Sequence, residues 1–193
     1  MSLGPVFDAA LAAQAVCEGL GLEFCVIGGV ALQRWGEPRF TADADLSVLV
    51  EPGREEVVAG ALLGQLRARI DNPLDFARRT RVVLLQSIDG VGIDIVLAGL
   101  PYEAAVIERS SRWEIDAGTT LHTCSAEDLL VMKAFAARDK DWADVTSVLE
   151  RQGSRLDLDF VREQLQPLAV AKDEPEILEQ LERRITRILG AQP

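Results

Sequence analysis

The sequence predicts an α+β fold, a mixed β-sheet flanked by helices followed by a helical C-terminal region. Three observations carry this. Short apolar runs of strand length alternate with helical stretches over the front of the chain. Asp89-Gly90 sits between two such runs as a hairpin turn. From Ala126 onward only helical segments are read. The expected division is residues 1–123 as an α/β core and 124–193 as helices packed on it, walling one side of a cleft.

Element by element, Val6 to Leu20 is rich in Ala and Leu and reads as a helix ending near Gly19 or Gly21. Glu23 to Ile27 reads as a strand, and Gly28-Gly29 turns into a short helix from Val30 to Trp35. Gly36-Glu37-Pro38 stops that helix, and Asp43 to Val50 forms the next strand. Glu55 to Ile70 has apolar residues at three and four spacing and reads as one helix, broken by Asn72-Pro73. Arg81 to Gln86 and Val91 to Leu97 are the hairpin strands. Tyr102 to Ser110 reads as helix, and Trp113 to Ile115 and Thr119 to Thr123 as strands. Ser125, with Asp128 three residues on, caps a helix from Ala126 to about Arg138. Asp141 to Glu150, Leu158 to Leu165 and Glu176 to Leu189 complete the helices.

Composition narrows the function classes. Of 193 residues 48% are hydrophobic and 5% aromatic, so a core of ordinary size is built mainly from Leu, Val, Ile and Ala. No apolar run approaches the roughly 20 residues that span a bilayer. The first residues show neither the basic start nor the apolar stretch of a signal peptide. Cys17, Cys25 and Cys124 lie in apolar contexts without a CxxC pair and read as buried free thiols, which suits a cytoplasmic location. With His122 as the sole histidine, a zinc site is not expected and His122 reads as structural. The net charge of −11 argues against broad, non-specific nucleic-acid binding. A local basic run, Arg78, Arg79 and Arg81 with Arg67 and Arg69 upstream, reads either as a patch for RNA or as a solvated loop and helix face.

The chemistry concentrates on three aspartates. Asp43 and Asp45 are two apart in a strand and therefore share a face. Two like charges side by side call for a divalent cation. Asp94 lies inside the apolar strand Gly92-Ile93-Asp94-Ile95-Val96, where an ionised carboxylate needs compensation. If the two strands are neighbours, three carboxylates converge, a donor set suited to magnesium; a pair of such ions supports phosphoryl or nucleotidyl transfer. Gly28 and Gly29 let the backbone approach a phosphate, with the following helix aiming its N–H groups at it. The bland alternatives are exposed strand-end acids and a plain tight turn.

Gly28-Gly29, separated by thirteen residues from Asp43-Ala44-Asp45-Leu46, resembles the signature of the nucleotidyltransferase superfamily that includes DNA polymerase β. The resemblance implies two magnesium ions on Asp43, Asp45 and Asp94, and phosphate contact at Gly28 and Gly29. Many members have Gly-Ser in this turn, whereas this chain has Gly-Gly. Gly28 to Leu32, Arg39 to Leu46, and Lys133 with Arg138-Asp139-Lys140-Asp141 and Asp144 resemble the AbiEii-type nucleotidyltransferase toxins of type IV toxin–antitoxin pairs. That implies an antitoxin protein as a partner.

Around this frame, Lys133 reads either as a point charge for nucleotide phosphates or as a snorkelling surface lysine. Arg138 and Asp141 read either as framing the nucleotide or as an ordinary helix junction, and Asp144 as ordering Arg138 or Lys140. Arg39 reads as offsetting the carboxylate charge, Thr41 as hydrogen-bonding the turn, and Trp142 as the best stacking candidate among three packing tryptophans. The expected reaction moves a nucleoside monophosphate from a nucleoside triphosphate to an acceptor hydroxyl, on tRNA or a small molecule, with Asp94 also taking the acceptor's proton. Its rivals are an aminoglycoside-type antibiotic nucleotidyltransferase and a catalytically inactive nucleotide-binding module.

Overall fold

A computed structural model describes residues 4–190. Its contacts divide the chain into two compact units, Met1–Ala31 with Phe40–Cys124, and Leu32–Arg39 with Ser125–Pro193.

The first unit carries the sheet. It contains α1 (Pro5–Gly19), β1 (Phe24–Ile27), the start of α2 (Gly28–Trp35), β2 (Asp43–Leu49), α3 (Glu55–Leu63) and β3 (Arg67–Ala68). These are followed by α4 (Pro73–Thr80), β4 (Val82–Gln86), β5 (Gly92–Ala98), α5 (Pro101–Glu108), β6 (Ser111–Asp116) and β7 (Thr119–Thr123). The strand order is β3-β4-β5-β2-β1-β7-β6. β2 pairs with β5, and β1 with β7, in parallel; the other neighbours are antiparallel, so the sheet is mixed.

Alternation sorts the two faces. Ala44, Leu46, Val48, Val83, Leu85, Ile93, Ile95 and Leu97 point to one face and are fully buried. α1 covers this face with Ala9, Ala10, Ala13 and Cys17, one helical side of small residues that lets its backbone approach the strands. The opposite face carries Asp43, Asp45, Leu84 and Asp94, all only partly buried. β4 and β5 are joined by Ile88-Asp89-Gly90, with Gly90 at φ +80° and its N–H bonded to Ser87 O, the hairpin expected from Asp-Gly.

One expected element is corrected. The helix read over Glu55–Ile70 ends at Leu63, and Gly64 opens a turn into β3, where Arg67 pairs with Gln86 and Ala68 with Leu85. Gly60 and Gly64 weaken the helix, and the exposed edge of β4 gains backbone partners from β3. Asn72-Pro73 does more than break a helix, because Pro73 starts α4 at the first-turn position where its missing N–H costs nothing.

The second unit is helical: the end of α2, α6 (Ala126–Ala136), α7 (Asp139–Gln152), α8 (Leu158–Lys172) and α9 (Glu176–Leu189). Ser125 Oγ accepts from Asp128 N–H at 3.0 Å and donates to the Asp128 carboxylate at 2.7 Å, the expected cap. α8 runs seven residues past the predicted Leu165, through Pro167, because the buried stripe Val161, Leu165 and Ala169 continues and outweighs one missing hydrogen bond. The α2 end is tied to α7 by Gln152 Nε2 donating to Trp35 O at 2.6 Å and by Arg151 donating to Gly36 O. Among the described residues no helix is long and apolar enough to cross a membrane.

Candidate active site

The sheet register brings the three aspartates together. β2 and β5 run in parallel with Asp45 directly opposite Asp94 and Asp43 opposite Gly92. Opposite residues share a face, as do residues two apart, so all three carboxylates project to the same side. Gly28 lies against Asp45: a Cβ there would collide with Asp45 Oδ2, and the glycine's φ of +63° independently disfavours a side chain. A Cβ at Gly29 would collide with Thr41 Oγ1, which also donates to Asp43 O at 3.3 Å. The glycine pair is therefore needed to admit Asp45 and Thr41. The helix begins at Gly28 itself, two residues earlier than expected.

The residue that sequence reasoning missed is Arg69. Assigned to a helix, it had no visible reason to meet the acids. In the sheet it follows β3, bonds its N–H to Leu84 O at 3.0 Å, and so shares a face with Leu84 and Asp94. Its Nη1 donates to Asp43 Oδ1 at 3.0 Å and its Nη2 to Asp94 Oδ1 at 2.6 Å. Gly92 makes room, since a Cβ at that position would collide with both Asp43 Oδ1 and Arg69 Nη1. The signal available beforehand was general: adjacent carboxylates need a cation, and arginines lay upstream.

Burial pushes the Asp94 carboxyl above its ordinary range; Arg69 opposes that shift and the neighbouring Asp43 adds to it. The donor set suits a hard divalent ion, being all carboxylate and free of thiol or imidazole. With Asp43 and Asp94 turned onto the guanidinium, no three His, Cys, Asp or Glu side chains among the described residues are gathered as a metal cage.

The second unit holds a separate charged cluster. Lys133, 8% exposed, pairs with Asp141 at 3.2 Å and Asp144 at 2.7 Å. Arg138 pairs with Asp141 at 2.5 Å, and Arg39 pairs with Asp144 through Nε at 2.6 Å and Nη2 at 2.7 Å. Burial opposes ionisation of Asp141 and Asp144, but hydrogen bonds and charge from Arg138 and Lys133 on one, and Arg39 and Lys133 on the other, hold both carboxyls below their ordinary range. Four readings are refined here. Lys133 is buried and doubly paired, not a snorkelling surface lysine. Asp144 orders Arg39 and Lys133 in place of Arg138 or Lys140, and Arg39 offsets the charge of Asp144. Trp142 is buried at 5% exposure with the Arg184 guanidinium 4.2 Å over its ring, which leaves that face to a cation.

The remaining residues are structural or locally compensated. His122 meets Phe24 edge-on at 6.2 Å, and its N–H donates to Gln14 Oε1. All three cysteines are buried and outside any disulfide, and burial, with Glu18 adding, pushes the Cys17 thiol up to about 12. In the basic run Arg78 pairs with Glu56 and Asp75, while Arg81 pairs with Glu55 and donates to Leu97 O at 2.5 and 2.9 Å.

No curated protein matches the chain in sequence. Among solved structures, the solution structure of the antibiotic-resistance factor ANT(2'')-Ia superposes with a TM-score of 0.52 at 16% identity, covering 84% of this chain and 91% of that one. An antigenic nucleotidyltransferase-like protein from Paracoccidioides brasiliensis gives a TM-score of 0.50 at 15% identity, with 95% of each chain covered. Both share the fold, a mixed sheet flanked by helices. The family described as "Nucleotidyl transferase AbiEii toxin, Type IV TA system" matches residues 9–191, nearly the whole chain. The chain belongs to the AbiEii nucleotidyltransferase family and is a nucleotidyltransferase.

Proposed function

We propose that the protein transfers a nucleoside monophosphate from a nucleoside triphosphate to an acceptor hydroxyl with the help of magnesium, releasing pyrophosphate. The observation that carries this is the register that sets Asp45 opposite Asp94 with Asp43 on the same face. Asp43, Asp45 and Asp94 are the residues that would hold two magnesium ions, whose charge would neutralise the triphosphate and make its α-phosphorus more electrophilic. Gly28 and Gly29 open α2, so its first N–H groups are available to phosphate oxygens. Asp94 also accepts the acceptor hydroxyl's proton, since it lies where that hydroxyl must approach. The acceptor oxygen then bonds to the α-phosphorus as the bond to the bridging oxygen breaks and pyrophosphate leaves. In the helical unit, Lys133, Arg138 and Asp141 are the candidate nucleotide-binding cluster, in which Asp141 pairs with both cations.

Two acceptors remain in play. Membership of a toxin family supports an antitoxin protein as partner, and tRNA is the acceptor that the toxin reading expects. The pairing of Arg78 and Arg81 with Glu55, Glu56 and Asp75 supports a small cationic acceptor instead, because it compensates part of the basic surface that RNA needs. ANT(2'')-Ia, an antibiotic-resistance factor, shares the fold and makes the same suggestion. Incubation with each of four α-labelled nucleoside triphosphates, with and without magnesium, in parallel arms containing total tRNA and an aminoglycoside panel, decides. Label on tRNA supports the first acceptor and label on a drug the second. No magnesium-dependent label or pyrophosphate in any arm, despite nucleotide binding, sinks the transferase reading in favour of an inactive binding module.

A further inference from the structure

The three aspartates are assigned above to magnesium, yet two of them are already engaged by a cation that belongs to the chain. Arg69 spans from the edge of the sheet over Leu84 to Asp94 and Asp43. Three independent features build this arrangement. The strand β3 and the Arg69 N–H bond to Leu84 O fix the side of the sheet to which Arg69 projects. The two guanidinium nitrogens each meet a different carboxylate, at 3.0 and 2.6 Å, so one planar group bridges two strands. Gly92 supplies the space, since any Cβ there would strike both Asp43 Oδ1 and Arg69 Nη1. All three side chains are 28–44% exposed, so the bridge stays within reach of solvent and of competing ions.

We infer that Arg69 is the resident counter-cation of this carboxylate site: it holds Asp43 and Asp94 in place before a divalent ion arrives, and competes with that ion for Asp43 Oδ1 and Asp94 Oδ1. The inference rests on the assignment of Asp43, Asp45 and Asp94 to magnesium. A guanidinium and a divalent ion cannot both take the same oxygen lone pairs at full strength, so loading the site requires Arg69 to release them. Arg69 is thus a positioning residue that keeps the acids from repelling each other and sets how much divalent ion is needed to fill the site.

The test is Mn2+ binding to the full chain without nucleotide, read by electron paramagnetic resonance, together with melting temperature in chelator and in Mn2+. Arg69→Met should bind Mn2+ roughly fivefold more tightly, the order expected from removing two partly exposed ion pairs as competitors. It should melt lower than wild type in chelator and gain more from Mn2+. Arg69→Lys keeps the charge but not the two-pronged bridge, and its affinity should lie between those of wild type and Arg69→Met. Asp43→Asn with Asp45→Asn should abolish binding. If the aspartate variant loses Mn2+ while Arg69→Met and Arg69→Lys both bind as wild type or more weakly, the role of Arg69 is overturned and the metal assignment stands. If the aspartate variant binds Mn2+ normally, the metal assignment falls and this inference with it.

Discussion

Gly28 illustrates how a single missing side chain governs this site. Its φ of +63° and the position of Asp45 Oδ2 each exclude a Cβ, so Gly28→Ala should lower stability by about 1–3 kcal/mol and displace Asp45. Calorimetric melting and pyrophosphate release should both drop; loss of neither would show that the turn tolerates a side chain. Gly29→Ser is a sharper probe, because its Cβ would collide with Thr41 Oγ1. Restoring the Gly-Ser turn that many superfamily members carry should therefore reduce activity here, and combining it with Thr41→Gly should recover part of the loss. Asp144 is almost fully buried between Arg39 and Lys133, so Asp144→Ala leaves two cations short of a partner and should cost about 2–4 kcal/mol in urea unfolding.

At the scale of elements, what could be read from the sequence followed from pattern strength. β2 and β5 were legible because apolar residues alternate with a face whose charged residues are all aspartates, and their adjacency turned separate acids into a site. The β4–β5 hairpin was legible from Asp89-Gly90. β3 was not, because two residues cannot show a period, and they were absorbed into the helical pattern of α3. That single error hid Arg69. The Lys133 cluster was legible as a set of charged residues, but whom each one pairs with depends on helix packing that spacing alone does not reveal. The α6–α7 junction carries a further consequence. Ala137 ends α6 in the left-handed region at φ +57°, a place suited to glycine, so Ala137→Gly should stabilise the protein by about 0.5–1 kcal/mol without loss of activity. The same pair of helices sets the acid response. The Asp141 and Asp144 carboxyls are held below their ordinary range, so the stability they contribute is present above the unfolded-state value of about 3.9 and is lost as pH falls through the lower folded values. Unfolding free energy should fall steeply in that window, and more shallowly in Asp141→Asn with Asp144→Asn, which starts from lower stability at pH 7.

For the whole molecule, charge is what bears on the acceptor. A net charge of −11, with Arg78 and Arg81 of the arginine run paired to carboxylates, disfavours a long phosphate backbone. The central claim lies upstream of that choice, in the three aspartates that the sheet sets on one face. It is tested most directly by following pyrophosphate release from labelled nucleoside triphosphates for wild type and for Asp43→Asn with Asp45→Asn, in magnesium and in chelator. The account predicts release by wild type that chelator abolishes, and none by the folded variant. Magnesium-dependent release by the variant at the wild-type rate would contradict it.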